Sequence, residues 1–425
     1  MQVARRGFLK ATAGGIAFSG VAGVASARGK GSSEGHGPPY EVWAADQGTD
    51  TVYVYRPHQR GRDEPGFREH AVLDLGAQGI DTPHMLSFSS DHRYALTANT
   101  GAKGDHPGSV AVIHTPSRCV VDVIETGPGS HFASFSPDDE YIHVDVIGES
   151  EIVRVDADLR RREFEIEDRI EIDDGIEGLT ADEGAPICHD YDRQGRSLHT
   201  LGPSYHNAGL VIVDHDEFKV VAALPGDDLP TNCGTVPHPT EDKFYLTAGL
   251  PTPTDEDTGE PIEGEEGVGE YFVFDTAEDE ILVDGESTQG VDAHGLWFAE
   301  NDGELELWVV NRETNDGVIV DPETDAVKET IERFGPADSP DPEESDAPDI
   351  VWSSPDGSLL FGTLRGPNPL SGDPHAATGV NPGFAVWDVE NRDRIETIQP
   401  DEGNEDSDFH GIAVRPVGGG SSQDR

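Results

Sequence analysis

Through most of the chain apolar and polar positions alternate with a period of two, in short runs closed by Gly, Pro and Asp. That period marks half-buried antiparallel strands. The runs recur in a fixed order: a short apolar strand, a turn, a second strand, a loop, then a third strand ending in Asp. The first strand and turn read "HMLSFSSDHRY", "HFASFSPDDEY", "HDYDRQGRS", "CGTVPHPTEDKF", "HGLWFAENDGEL" and "DIVWSSPDGSL". The third strand reads "SVAVIH", "EIVRVD", "GLVIVD", "YFVFD", "GVIVD" and "FAVWD". Fourth strands follow as "CVVDVIET", "KVVAAL", "AVKETI" and "RIETI".

A unit of about 44 to about 60 residues with four strands is the size of one propeller blade. Inner strands start near His84, His131, Cys188-His189, Cys233, His294, Asp349 and His410, which predicts an all-β, seven-bladed β-propeller. The seventh start, "HGIAVRPV", is followed only by a tail. Its missing partners stand at the other end of the chain, in "YEVWAADQGTDTVYVYRP". Closing the ring with strands from both termini removes free sheet edges. A β-sandwich explains neither the period nor this split.

The 425 residues carry 84 acidic and 29 basic side chains, a formal net charge of -55. At molar salt the screening length is about 3 Å, so self-repulsion fades. The acidity therefore reads as a halophile's solvated surface. It argues against a nucleic-acid partner, which needs a basic patch. Gly and Pro, at 50 and 30 residues, suit a turn-rich β protein. Three cysteines (Cys119, Cys188 and Cys233) allow one bridge and leave one thiol over, with the pairing open.

The first residues read as an address. Arg5-Arg6, then Phe8, Leu9 and Lys10, a mild apolar stretch and Ala25-Ser26-Ala27 follow the order of a signal peptide, and the twin arginines resemble the Tat type. The expected organisation is a signal at 1–27, a linker at 28–40, the propeller at 41–417 and a tail at 418–425. Export to the cell surface or medium is expected, with no membrane span after cleavage and a monomeric mature chain.

The run "LELWVVNRETNDGVIVDPETDAV" (305–327) resembles the YVTN family of propeller repeats. "FSPDDEYIHV" and "SSPDGSLLFG" resemble the same family's inner hairpin, and at the level of repeats the likeness covers nearly all of 41–417. It implies the fold, and a surface or periplasmic setting like that of a salt-loving archaeon's exported proteins. The wider propeller group includes lactonases, haem-binding nitrite reductases and the copper-bearing propeller of nitrous oxide reductase, and this chain matches no one enzyme's residue set throughout.

The fold gives the histidines a meeting place. In a propeller every inner strand begins at one mouth of the central channel. His84, His131, His189 (or Cys188), Cys233, His294, Asp349 and His410 should therefore converge there as candidate metal ligands. Imidazole suits Zn, Cu, Fe and Ni, and Cys and Asp can also ligate. Loops on the same face add His106, His206, His375 and Arg365 as candidate groups for a small-molecule ligand, Arg365 because a guanidinium pairs with carboxylates. The opposing reading is a hydrogen-bonding His copied by repeat duplication, each imidazole bonded within its own blade. The acidic stretches 251–270 and 335–348 read as solvated loops. The chain lacks a G-x-S-x-G elbow, a Walker loop, H-E-x-x-H and C-x-x-C. The functional reading is a ligand-binding protein with a His-lined channel mouth that holds Cu or Zn. A copper or haem oxidoreductase, a lactonase-type hydrolase and a surface scaffold for proteins or glycans stand as alternatives.

Overall fold

The computed structural model describes residues 39–417 except 60–64, 105, 106, 174, 180–183, 203–208, 256–260, 338, 340 and 401–404. The expected signal peptide, most of the linker and the tail lie outside the described residues.

Seven four-stranded antiparallel sheets form a ring, a seven-bladed β-propeller. Blades 1 to 6 take their strands consecutively, with inner strands Pro83–Phe88, Ser130–Phe135, Ala185–Tyr191, Thr235–Pro237, Ala293–Asn301 and Pro348–Ser353. Blade 7 is shared between the two ends. Its inner strand Phe409–Pro416 pairs with Tyr40–Asp46, followed by Thr51–Gln59 and Pro65–Asp74. The register runs from Tyr40 against Pro416 to Asp46 against Phe409. Among the described residues no helix is long and apolar enough to cross a membrane.

The repeated turn explains the recurring Ser-x-Asp. In blades 1, 2 and 6, Ser89, Ser136 and Ser354 each donate a side-chain hydrogen bond to the Asp two residues on. Each hydroxyl also accepts the backbone N–H of the residue opening the second strand, at 3.0 Å. A local side-chain bond thus closes the hairpin before any tertiary contact forms.

The core lies between blades. Leu96, Val112, Ile142, Val144 and Val153 bury the face shared by blades 1 and 2. Tyr245, Tyr271, Leu307 and Val309 do the same for blades 4 and 5. Trp297 and Trp352 stack at 3.8 Å across blades 5 and 6. Each sheet is thus covered on both faces by its neighbours, and its third strands read as nearly continuous apolar runs.

The closure is fastened by charge. Glu41 is fully buried beside the junction. Its Oε1 accepts from Arg56 at 2.5 Å and Arg118 at 2.6 Å, and its Oε2 from Arg415 at 2.9 Å and the Trp43 indole at 3.1 Å. Burial pulls this carboxyl up, yet Arg415 and Arg56 outweigh it and hold it below the usual glutamate range.

A candidate metal centre in the channel

Inner strands of the ring carry a β-bulge near their N-terminal ends. The register against the second strand slips between Pro83 and Met85, Ser130 and Phe132, Pro186 and Cys188, Ala293 and Leu296, and Pro348 and Val351. In blade 7 the slip falls opposite His410. In blade 4 both Asn232 and Gly234 bond Thr247, which leaves Cys233 as the extra residue. A bulge re-aims one side chain out of the pleat. The bulged residues are His84, His131, Ile187, Cys233, His294, Asp349 and His410. Glycine follows three of them because neighbouring inner strands touch there. A Cβ on Gly295 would meet the Asp349 carbonyl oxygen at 2.0 Å, and one on Gly411 the His84 oxygen at 2.4 Å.

Four imidazoles and one carboxylate are thereby gathered. His84 and His410 stack with ring centroids 3.6 Å apart, and His131 lies against His84 at 4.1 Å. Ligand atoms of His84, His131 and His410 lie within 4.8 Å of one another, as do those of His294, Asp349 and His410, so His410 joins the two sets. The contacts run between blades. His84 Nδ1 is 2.9 Å from Gln47 Oε1 in blade 7, and His131 Nδ1 is 2.8 Å from the Ile187 carbonyl in blade 3. Copied histidines bonded within their own blades would not do this.

Those two contacts fix the protons. The Gln47 amide nitrogen donates to Asp408 at 2.6 Å, which turns its oxygen toward His84. A carbonyl oxygen only accepts, so both Nδ1 atoms carry hydrogen and both Nε2 atoms are bare. Those two Nε2 atoms face each other at 2.8 Å. Burial, then the neighbouring His410 and His131, push His84 well below the usual histidine range, and burial takes His131 down to about 4. At neutral pH two lone pairs therefore point at one space, an arrangement that favours a cation between them.

The second set is also unfinished. Asp349 Oδ2 accepts from Arg365 Nη1 at 2.7 Å. Asp349 Oδ1 lies 2.9 Å from His294 Nε2, but neither atom makes a hydrogen bond, and His410 Nδ1 has none either. Burial works to raise Asp349, yet His410, His294 and Arg365 prevail and keep it ionised. Orphaned buried polar atoms of this kind are rare in native proteins and call for an explanation.

Several expectations need correction. His189 sits two residues past its blade's bulge, which falls on Ile187, and points to a different cluster. Cys233 is joined to Cys188 in a disulfide across blades 3 and 4 and offers no thiolate. Cys119 is the free, exposed cysteine. Arg365 is fully buried and saturated by Asp349, Asp408 and Ser371, so it orients Asp349 and is no open anchor for a ligand. His375, on the short helix Pro374–Ala377, lies 3.8 Å from Glu313 and joins neither set. His106 and His206 lie outside the described residues. Sequence reasoning missed Gln47 and Asp408, which orient His84. It also missed the second cluster, Asp145, His189 and His199, whose signal was a polar residue alternating inside the apolar second strands "YIHVDV" and "RSLHTLG".

No family model matches the chain, and no curated protein matches it in sequence. Solved structures do resemble it. One is "Dihydro-heme d1 dehydrogenase NirN in complex with DHE", with 12% identity, a TM-score of 0.50 and coverage of 85% of this chain. This chain spans 64% of that protein's length. A second is the hydrazine synthase of Kuenenia stuttgartiensis, with 14% identity, a TM-score of 0.50, and coverage of 76% of this chain and 91% of that one. A third is a chain of the mitotic checkpoint complex, with 10% identity, a TM-score of 0.50, and coverage of 79% and 78%. At such identities the likeness concerns the propeller fold alone.

Proposed function

We propose that this chain is an exported, salt-adapted β-propeller that binds one transition-metal ion in its channel through His84, His131 and His410, with His294 and Asp349 beside them. The observation that carries the reading is the pair of bare Nε2 atoms at 2.8 Å, each held by an Nδ1–H bonded to a carbonyl. Metal-bound imidazoles are oriented in this way, by a partner on the other ring nitrogen. With bonds of about 2.0 Å the two nitrogens subtend roughly a right angle at an ion. An all-imidazole set with one nearby carboxylate suits copper or zinc.

Protein recovered from outside its host cell, in molar salt, should carry about one equivalent of metal by elemental analysis. The His84→Ala/His131→Ala double variant should lose it at least tenfold and keep its circular dichroism. Chain found only inside the cell overturns export. Wild-type protein that takes up neither copper nor zinc overturns the metal site.

The salt adaptation rests on the net charge of -55. Signal removal takes three basic residues and no acidic ones, which leaves about −58. Lowering salt from molar to about 0.1 M stretches the screening length from about 3 to about 10 Å. The expected outcome is loss of circular dichroism over that range, and an unchanged melting temperature would refute the adaptation.

A further inference from the structure

We propose that Ser134 is an activated nucleophile, with His189 as its base and Asp145 as the group that positions His189, and that this site takes acyl groups from small carboxylic esters. It is independent of the channel metal. Ser134 lies on the inner strand of blade 2 and is half-buried, while His189, on the inner strand of blade 3, is buried. The Ser134 hydroxyl is 2.7 Å from His189 Nε2, and His189 Nδ1 is 2.6 Å from Asp145 Oδ2. Asp145 accepts, so Nδ1 carries the proton and Nε2 is free to take the one on Oγ. Serine, imidazole and carboxylate then stand in the relation that activates a serine in hydrolases of unrelated folds.

The surroundings support it. Burial opposes ionisation of Asp145, but His189 and His199 overcome that and keep the carboxylate charged. The same carboxylate holds His199 through Oδ1 at 2.6 Å, and His199 faces Ser197 at 2.8 Å. That second serine is fully buried and supplies an internal control. Tyr191 is buried, burial keeps its phenol protonated, and its hydroxyl interacts with Ser134 while holding no well-formed hydrogen bond. It is a protonated hydroxyl beside Oγ that can turn to the oxygen of a tetrahedral intermediate.

The steps balance. Oγ bonds to the ester carbonyl carbon as its proton passes to His189 Nε2. The carbon–alkoxy bond breaks and the alkoxide leaves with that proton. Water then attacks the acyl-serine, giving its proton to Nε2. The carbon–Oγ bond breaks, the acid departs and Oγ takes the proton back.

Diisopropyl fluorophosphate, in molar salt, tests this without an identified substrate. Oγ bonds to phosphorus, fluoride leaves and the proton goes to His189. Intact mass should show one adduct, mapped to Ser134, absent from Ser134→Ala and retained in Ser197→Ala. His189→Gln should slow labelling at least 100-fold with circular dichroism unchanged, and p-nitrophenyl acetate turnover should fall in parallel. Folded wild type that stays unlabelled at Ser134, or equal labelling of His189→Gln, overturns the proposal. So does a metal equivalent that His189→Gln alone removes, since it would make the cluster an ion site.

Discussion

Glu41 and the His84–His131 pair are both buried polar centres on the same ring, and they are finished to different degrees. Around Glu41 each oxygen accepts from charged donors, three arginines in a chain with 29 cations. Around His84 and His131 the outer nitrogens are satisfied and the inner ones face each other bare. His294, Asp349 and His410 likewise keep atoms without partners. Saturation marks the closure as structural. Deficit, at a place where side chains from neighbouring blades converge, is what the proposed metal site rests on.

Removing residues 41–56 takes away Glu41 and two strands of blade 7, leaving Phe409–Pro416 with no partner. No cooperative thermal transition should remain, and a soluble, cooperatively melting product would mean the ring closes without them. A smaller cut at the same place is Glu41→Gln, which leaves three guanidinium groups around a neutral amide. Stranding buried charge costs several kcal/mol, but Arg56 and Arg118 keep 34% and 24% of their exposure. The expected loss is about 2–3 kcal/mol in denaturant melts. In contrast, His84→Gln should change stability by less than about 1 kcal/mol while weakening metal uptake, because the glutamine amide can still donate to Gln47 Oε1 and the inner nitrogen it removes is bare.

Acid separates the two regions most finely. In metal-free protein His84, His131 and His410 have depressed pKa values, so below about 6.5 the unfolded chain binds protons that the folded one refuses. Stability should be full above that pH and decline as pH drops toward 4. Glu41 is also depressed, but as an acid: its contribution is present above about 4.5 and is lost only as pH falls through its lowered folded value. Melting temperature against pH should therefore fall in two stages, and His84→Gln/His131→Gln should make the upper one shallower without moving the lower, the remainder coming from His410, His143 and His199. A single stage below pH 4.5 would place the histidines' protons elsewhere.

The architecture was legible because each blade repeats the same local chemistry. "SSD", "SPD" and "SPD" close the same hairpin in three blades through the same Ser–Asp bond, and the split of strands between the ends of the chain is visible as a unit cut in two. The offsets of His84, His131, His294 and His410 from their turns were legible for the same reason. His189 misled because it was taken as the nearest histidine: counted five residues back from the turn, as His84 is from Ser89 and His131 from Ser136, the place in this blade falls from Asp192 onto Ile187. The bond between Cys188 and Cys233, the role of Gln47 some 37 residues from His84, and the meeting of Ser134 with His189 and Asp145 all depend on the rotation from one blade to the next. Arg365 was read as available because cations are scarce, and for that same reason two buried carboxylates had already claimed it.

The repeated bulge has an evolutionary consequence. It supplies the ring with seven interchangeable berths, occupied in order by His84, His131, Ile187, Cys233, His294, Asp349 and His410. A berth's side chain leaves the pleat, so its identity is uncoupled from the strand pairing that keeps the barrel of blades shut. One codon can then exchange an occupant, Ile187 for histidine for instance, and alter the interior chemistry while the ladder on either side is inherited unchanged. The interior of the ring can in this way change one position at a time while the strand pairing is kept.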